Sequence, residues 1–233
     1  MSLSENTFVL SLGGSLVVPN GGIDTQYLKK FNTFIRNQIS SKKRRFFIVV
    51  GGGTTARKYS SAGEAIMGRK ATDIDLDWLG VHATRLNAQL IRTIFQDIAH
   101  QRVIKHYDII RKVEEPVVIA AGWKPGWSTD YDAVVLCQDY GIKQVLNLSN
   151  IDQVYSKDPK KFFDAKPIVK TTWKEYRKLT GDTWTPSMNV PFDPIAAKLA
   201  QELGVTVRIL NGKNLEELAK ALDGKAFFGT TIQ

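Results

Sequence analysis

The chain has 233 residues, enough for one large domain or two lobes with a substantial core. Its 43% apolar and 24% charged content is that of an ordinary globular protein, and a net charge of +9 admits nucleic acid, an anionic membrane or anionic small substrates as partners. One cysteine, Cys137, excludes an internal disulfide and suits a reducing compartment. No apolar run reaches the ~20 residues of a membrane span, and the N-terminus shows no signal-peptide pattern, so the sequence reads as cytoplasmic.

Residues 6–18 read as a strand broken by Gly13-Gly14. Asp24 caps a helix to about Ile39, with Tyr27, Leu28, Phe31, Phe34 and Ile35 at helical spacing. Lys42-Lys43-Arg44-Arg45 reads as a solvated helix-to-strand turn rather than a nucleic-acid contact. A strand over 46–50 leads into Gly51-Gly52-Gly53 and a helix from about Thr54 to Ile66. The polar loop 68–73 precedes a long helix from Leu76 to about Gln101, whose apolar face carries Trp78, Val81, Leu86, Leu90, Ile94 and Ile98.

Val117 to Ala121 reads as a buried parallel strand and ends in the turn-rich loop Gly122 to Asp130. A helix to about Gly141, with Cys137 packed in it, is followed by a strand over 144–148. Thr172 opens a helix to about Leu179, and 181–191 reads as irregular. Asp193-Pro194 pairs a cap with a first-turn proline and starts a helix that ends at Gly204. A strand over 205–210, a helix over 214–222 and a short strand over 227–232 complete the chain.

Strands alternating with helices predict an α/β fold with a mainly parallel sheet and helices on both faces. No repeat or linker divides it. A boundary near 140 is conceivable, but one continuous sheet is preferred. Ligands of such sheets gather beyond the carboxyl ends of the strands, where both glycine loops, the Trp123 loop and the Asn150 loop all fall.

The glycine loops carry the chemistry. Side-chain-free backbone lets N–H groups approach an anion closely, and the helix start after Gly53 adds partial positive charge. Two such loops point to phosphate-bearing ligands meeting between them. Gly51 to Ala56 also fits the dinucleotide pattern G-x-G-x-x-[GA], but any glycine triplet nearly does, and the acidic second strand is missing. A Walker A loop is absent, and His82, His100 and His106 form no evident metal-ligand pair.

Six motifs in order then resemble the amino acid kinase superfamily, and within it the archaeal-type uridylate (UMP) kinases. They are Leu12-Gly13-Gly14-Ser15, Val50-Gly51-Gly52-Gly53, Ser128-Thr129-Asp130, Asn150 to Pro159, Asp193 to Lys198, and Gly229-Thr230-Thr231-Ile232. The resemblance implies a three-layer α/β/α sandwich and one kinase-like domain over 1–233, with an acceptor part to about 140 and an ATP part beyond. It implies transfer of the ATP γ-phosphoryl to UMP with Mg²⁺ accompanying ATP, in a homo-oligomer that in this family is commonly a hexamer.

By motif, Gly14 and Ser15 are expected at the ATP phosphates, Gly52 at the UMP phosphate, and Gly53 and Arg57 at their junction. Asp77 and the loop Trp123, Lys124, Pro125, Gly126, Trp127, Ser128 and Thr129 are expected at the acceptor nucleotide. Ser149, Asn150, Tyr155 and Asp158 fall at the adenine and ribose.

The residue types fit these roles. An arginine presents a planar fork to phosphate oxygens, although Arg57 also reads as a surface cation. Asp130 reads as a helix cap or as the organiser of Mg²⁺ and its waters, with no direct protein ligand otherwise expected. Asp77 reads as a cap, a surface acid or an acceptor of ribose or uracil hydrogen bonds. Trp123 and Trp127 stack on a base, seal the site or pack on a neighbouring subunit. Trp173 and Trp184 read as core or interface, and Asp193 and Lys198 as shaping a helix end, with a reach to the nucleotide as the other reading of Lys198.

Three departures stand out. Ser11 occupies the place where many superfamily members, though not all archaeal-type UMP kinases, carry a lysine; Lys124 or Arg57 is the expected substitute. Asp152-Gln153 replaces an Asp-Gly turn, and two tryptophans enter the acceptor loop. Rival readings are a molybdenum- or tungsten-storage type of ATP-binding protein, a kinase of this superfamily with another small acceptor, and a basic nucleic-acid module.

Overall fold

The computed structural model describes residues 6–181, 183 and 190–233. Trp184 and most of the segment expected to be irregular lie outside them. In chain order the first half contains β1 (Thr7–Leu12), α1 (Gly14–Val17), α2 (Thr25–Lys42), β2 (Arg45–Val50), α3 (Gly53–Met67), α4 (Asp73–Ile94) and β3 (Val117–Ala120). The second half contains α5 (Thr129–Tyr140), β4 (Gln144–Ser149), β5 (Val154–Tyr155), β6 (Pro167–Ile168), β7 (Lys170–Thr171), α6 (Trp173–Thr180), α7 (Pro194–Leu203), β8 (Thr206–Asn211), α8 (Leu215–Leu222) and β9 (Thr230–Ile232).

The main sheet has the order β3-β2-β1-β4-β8-β9-β7, so strands from both halves of the chain share it. The five strands β3, β2, β1, β4 and β8 run parallel, and β9 pairs antiparallel with β8. The alternating side chains of the strands feed two cores. Leu10, Ile48, Ile119, Leu146 and Leu210 face α2, α4 and α8, whereas Val9, Phe47, Val118, Val145 and Ile209 face α5, α6 and α7. This is the expected three-layer α/β/α sandwich. A separate two-stranded ribbon, β5 with β6, was not anticipated, nor was β7; each is only two residues long.

Local chemistry sets the helix ends. Asp24, Thr72, Ser128, Thr172, Asp193 and Asn214 each accept a backbone N–H at a helix start. Gly141 and Gly204 close α5 and α7 in the left-handed region.

Four expectations are corrected. Residues 14–17 form a helical turn rather than more strand. The helix expected over 76–101 begins at Asp73, capped by Thr72, and stops at Ile94. Its expected tail instead lies along β3: His100 N–H donates to Val117 O at 2.8 Å and Ile104 N–H to Ile119 O at 2.8 Å. The sheet edge out-competes helical propensity there.

The third correction is Arg44. It is buried rather than solvated, donating to Leu222 O at 2.8 Å and to Asp223 Oδ1 at 2.7 Å and lying 5.5 Å over the Phe8 ring. Lastly, Ser128 caps α5, which leaves Asp130 inside the first turn. Cys137 is buried as expected, and burial pushes its thiol up.

Candidate active site

Parallel neighbours β1 and β2 place both glycine turns together at the carboxyl end of the sheet. Gly51 N–H donates to Leu12 O at 2.9 Å, Gly13 N–H to Leu148 O at 2.8 Å and Thr54 N–H to Val18 O at 3.0 Å, so the turns are braced on each other and on β4. Their backbones touch. A Cβ on Gly14 would fall 2.0 Å from Gly53 N, and one on Gly53, where φ is +61°, would fall 2.2 Å from Gly14 O. No side chain fits either place.

The first amides of α3 have no intrahelical partner, and the helix dipole makes this end attractive to an anion. Arg57 stands on the first exposed turn of α3; its Nη2 donates to Thr54 Oγ1 at 2.7 Å, and Thr54 Oγ1 donates to Asn20 Oδ1 at 3.2 Å. Ser15 is half-buried beside the turn.

Asp130 lies where β1, β4, α5 and α7 converge. Its Oδ1 accepts from Ser11 Oγ and Asn147 Nδ2, both at 3.0 Å, and its Oδ2 accepts from Asp193 N–H at 3.3 Å. Burial, reinforced by the Asp193 carboxylate, pushes the Asp130 carboxyl up to about 7, while the Ser11 hydroxyl and the Asp193 N–H pull it back. Ser11, at the place of the superfamily lysine, thus donates to this carboxylate. Asp193 is itself held as cap of α7, accepting from Ile195 N–H at 2.6 Å and Ala196 N–H at 2.9 Å. Lys198 is exposed further along that helix.

The loop after β3 closes the other side. Asp77 Oδ2 accepts from Gly126 N–H at 2.7 Å, so this carboxylate ties the loop to α4; burial pushes its pKa up and the Gly126 N–H opposes the shift. Trp123 and Trp127 meet edge to face at 4.7 Å, and Trp127 meets Tyr131 likewise at 4.5 Å. These rings form the loop's own small core with Tyr107, 6.0 Å from Trp123. Lys124 Nζ rests 4.2 Å above the Trp123 ring and 5.0 Å from that of Trp127. In this arrangement the ammonium is engaged by the indoles, which leaves Arg57 as the cation nearer in sequence and fold to the glycine turns. Pro125 and Gly126 form the tip, with φ at Gly126 of +82°, and Ser128 and Thr129 lead into α5.

Beyond β4, a cavity of about 470 Å³ is bordered by Ser149, Asn150, Tyr155, Asp158, Tyr176 and Leu179 among others. That volume is in the range of nucleotide-sized ligand sites. The four residues expected at adenine and ribose thus line one cavity. Gln153, at the altered Asp-Gly position, is buried; its Nε2 donates to Gly229 O at 3.1 Å, and Val154 N–H donates to Thr230 Oγ1 at 2.9 Å. The C-terminal motif Gly229 to Ile232 therefore buttresses the floor of this cavity.

Residues 6–211 match the Amino acid kinase family. The chain belongs to that family. Curated relatives include uridylate kinases of Thermoplasma volcanium, 32% identical with 98% of each chain covered, and of Methanospirillum hungatei, 32% identical with 97% of this chain and 94% of the relative covered. Among solved structures, the uridylate kinase of Archaeoglobus fulgidus superposes with a TM-score of 0.81 at 29% identity, covering 97% of this chain and 99% of that one. The UMP kinase of Bacillus anthracis, at 18% identity and a TM-score of 0.77, shares the fold.

In this member of the family the structure brings Gly14, Gly52, Gly53 and Arg57 to the carboxyl end of the sheet, flanked by the Asp130 hub and the Trp123 loop. Three contributors escaped the sequence reading. Asn87, only 4% exposed, donates from Nδ2 to Gly51 O and Gly52 O, both at 2.9 Å. Asn147 and Thr84 likewise hold Asp130 and Gly122. For two of them the available signal was the pair of polar residues Thr84 and Asn87 on a helix face otherwise made of Val81, Ala83, Ala88 and Ile91.

Proposed function

We propose that this protein is an ATP:UMP phosphotransferase that makes UDP and ADP. The observation that carries the reading is the interlocked pair of glycine turns at the carboxyl end of the sheet, with a nucleotide-sized cavity to one side and a loop tied by Asp77 to the other. The near full-length likeness to uridylate kinases supports the same acceptor and favours it over oxoanion storage. Phosphoryl transfer asks for positioning and charge neutralisation more than covalent help, and backbone amides plus one guanidinium supply both.

In this reading ATP occupies the cavity at Ser149, Asn150, Tyr155 and Asp158, with its phosphates against Gly14, Ser15 and Gly53. UMP lies under the Trp123 loop with its phosphate at Gly52. Arg57 bridges the two phosphate groups. Asp77 fixes the loop through Gly126 and reaches the acceptor from there, and the indoles stiffen the loop rather than stack on the base.

The Asp130 site suits Mg²⁺, because it offers hard oxygen donors: its own carboxylate, the Ser11 hydroxyl and the nearby Asp193 carboxylate. Bound with ATP, Mg²⁺ would neutralise charge on the phosphates, and Asp130 would orient its waters. We place the two functional parts, to about 140 and beyond, within one domain. We also place the protein in the cytoplasm as a homo-oligomer, with a hexamer as the expected state; no helix among the described residues is long and apolar enough to cross a membrane.

The test is a panel with ATP and Mg²⁺ against UMP, CMP, carbamate, acetylglutamate and isopentenyl phosphate. UDP formation from UMP is the expected result. No UDP, with turnover of another acceptor, would overturn the proposal.

A further inference from the structure

Phe192 and Asp193 lead into α7, and all four main-chain polar groups of the pair have partners. Phe192 N–H donates to Tyr176 Oη at 2.8 Å, and the same hydroxyl donates to Phe192 O at 2.8 Å. Asp193 N–H donates to Asp130 Oδ2 at 3.3 Å, and Asp193 O accepts from Ala197 N–H at 2.8 Å. One phenol thus closes both groups of the residue that precedes Asp193.

Tyr176 lies on α6 and is 0% exposed, as is Phe192. Its ring meets Trp173 edge to face at 6.1 Å, and Trp173 lies 5.9 Å from the Phe192 ring. For this aromatic packing alone a phenylalanine would serve. The hydroxyl needs a separate reason, because a buried polar group is costly unless it is hydrogen-bonded. Phe192 lies outside every strand and helix, so no ladder supplies bonds to its buried N–H and C=O. A hydroxyl can donate and accept at once, and burial pushes the Tyr176 phenol up, which keeps its proton in place at neutral pH. Its two bonds end one residue from the Asp130–Asp193 contact.

We propose that Tyr176 is a positioning residue for the Mg²⁺–ATP end of the site. Its hydroxyl latches Phe192 by both main-chain groups, which fixes where Asp193 enters α7 and how Asp193 stands toward Asp130. The latch acts through Asp193 rather than by contact with the nucleotide. This rests on the phosphotransferase reading for what binds at Asp130, but not for the latch itself.

Calorimetry measures binding of ATP and of UMP to the full-length protein, with Mg²⁺ and with EDTA, and amide hydrogen exchange is followed over residues 192–197. Tyr176→Phe keeps the ring and removes the oxygen. It should weaken ATP binding with Mg²⁺ roughly tenfold, leave UMP binding within about twofold, and speed exchange over this segment. With EDTA, variant and unaltered protein should bind ATP within about twofold of each other, because the effect runs through the Asp130–Asp193 pair. Tyr140→Phe is the control. It also loses a hydroxyl bond to a carbonyl, Tyr140 Oη to Arg111 O at 3.0 Å, but at the opposite end of α5 from Asp130, and it should leave ATP binding unchanged.

The proposal is overturned if Tyr176→Phe binds ATP with Mg²⁺ as tightly as the unaltered protein, if UMP or metal-free ATP weakens equally, or if Tyr140→Phe reproduces the loss. Free exchange of the Phe192 and Asp193 amides in the unaltered protein would overturn it as well, and that measurement decides the matter if Tyr176→Phe does not fold. If the unaltered protein binds no ATP, the functional reading fails instead, and hydrogen exchange alone decides the latch.

Discussion

Replacing Asn87 by alanine isolates the clamp on the triple-glycine turn. The Nδ2 group makes two hydrogen bonds, to Gly51 O and Gly52 O, in a buried setting. At about 0.5–1.5 kcal/mol each, their loss costs about 1–3 kcal/mol, and both carbonyls are left without this donor. For a chain of this size each kcal/mol lowers Tm by roughly 2–4 °C, so a drop of about 2–12 °C is expected. Asn87→Asp should be worse than alanine, because an ionised carboxylate has no donor and would face two carbonyl oxygens. Thermal melting by circular dichroism gives the first readout and KM for UMP the second, since the freed turn carries Gly52. A melting point for Asn87→Ala within 1 °C of the unaltered protein, with unchanged KM, would refute the clamp.

Gly14→Ala should cost at least the ~1–3 kcal/mol of an overpacked site and abolish most turnover, because its Cβ would meet the backbone of Gly53. Gly21→Ala, with nothing within 4 Å of the added carbon, is the control, and equal melting points for the two would contradict the interlock. Arg57→Ala should lower kcat roughly 100-fold as the loss of a charge-stabilising group, whereas Lys124→Ala should act mainly on acceptor KM through the indole loop. Steady-state kinetics with the reverse ranking would return the missing-lysine role to Lys124. Asp223 gives the pH dependence. The hydrogen bond from Arg44 depresses its pKa in the folded state, so its stabilisation is fully present above the unfolded value and lost as pH falls through the lower folded value. Urea unfolding should therefore show Asp223→Asn destabilised at pH 6, with the gap to the unaltered protein shrinking as pH falls below about 4; a gap that stays constant on acidification would exclude the ion pair as its origin.

What the sequence determined by itself is local. Strand runs ending in glycine, caps such as Asp24 and Asp193-Pro194, and the apolar stripe of α2 follow from neighbours in the chain, so their elements and the α/β class were readable. The glycine turns were readable as turns at strand ends for the same reason, since a side-chain-free strand end before a helix is set within a dozen residues. Tertiary structure decided what depends on distant partners. The tail after Ile94 leaves its helix because β3 offers it hydrogen bonds, and Arg44 is buried because Asp223 and Leu222 O lie against it. Ser11 meets Asp130, Asn87 clamps Gly51 and Gly52, and Lys124 rests on indoles. Apart from the Lys124 contact within its own loop, each of these is a directional contact between groups far apart in the chain. Periodicity records only which face of an element is buried, and therefore carries no trace of which polar group waits on the other side.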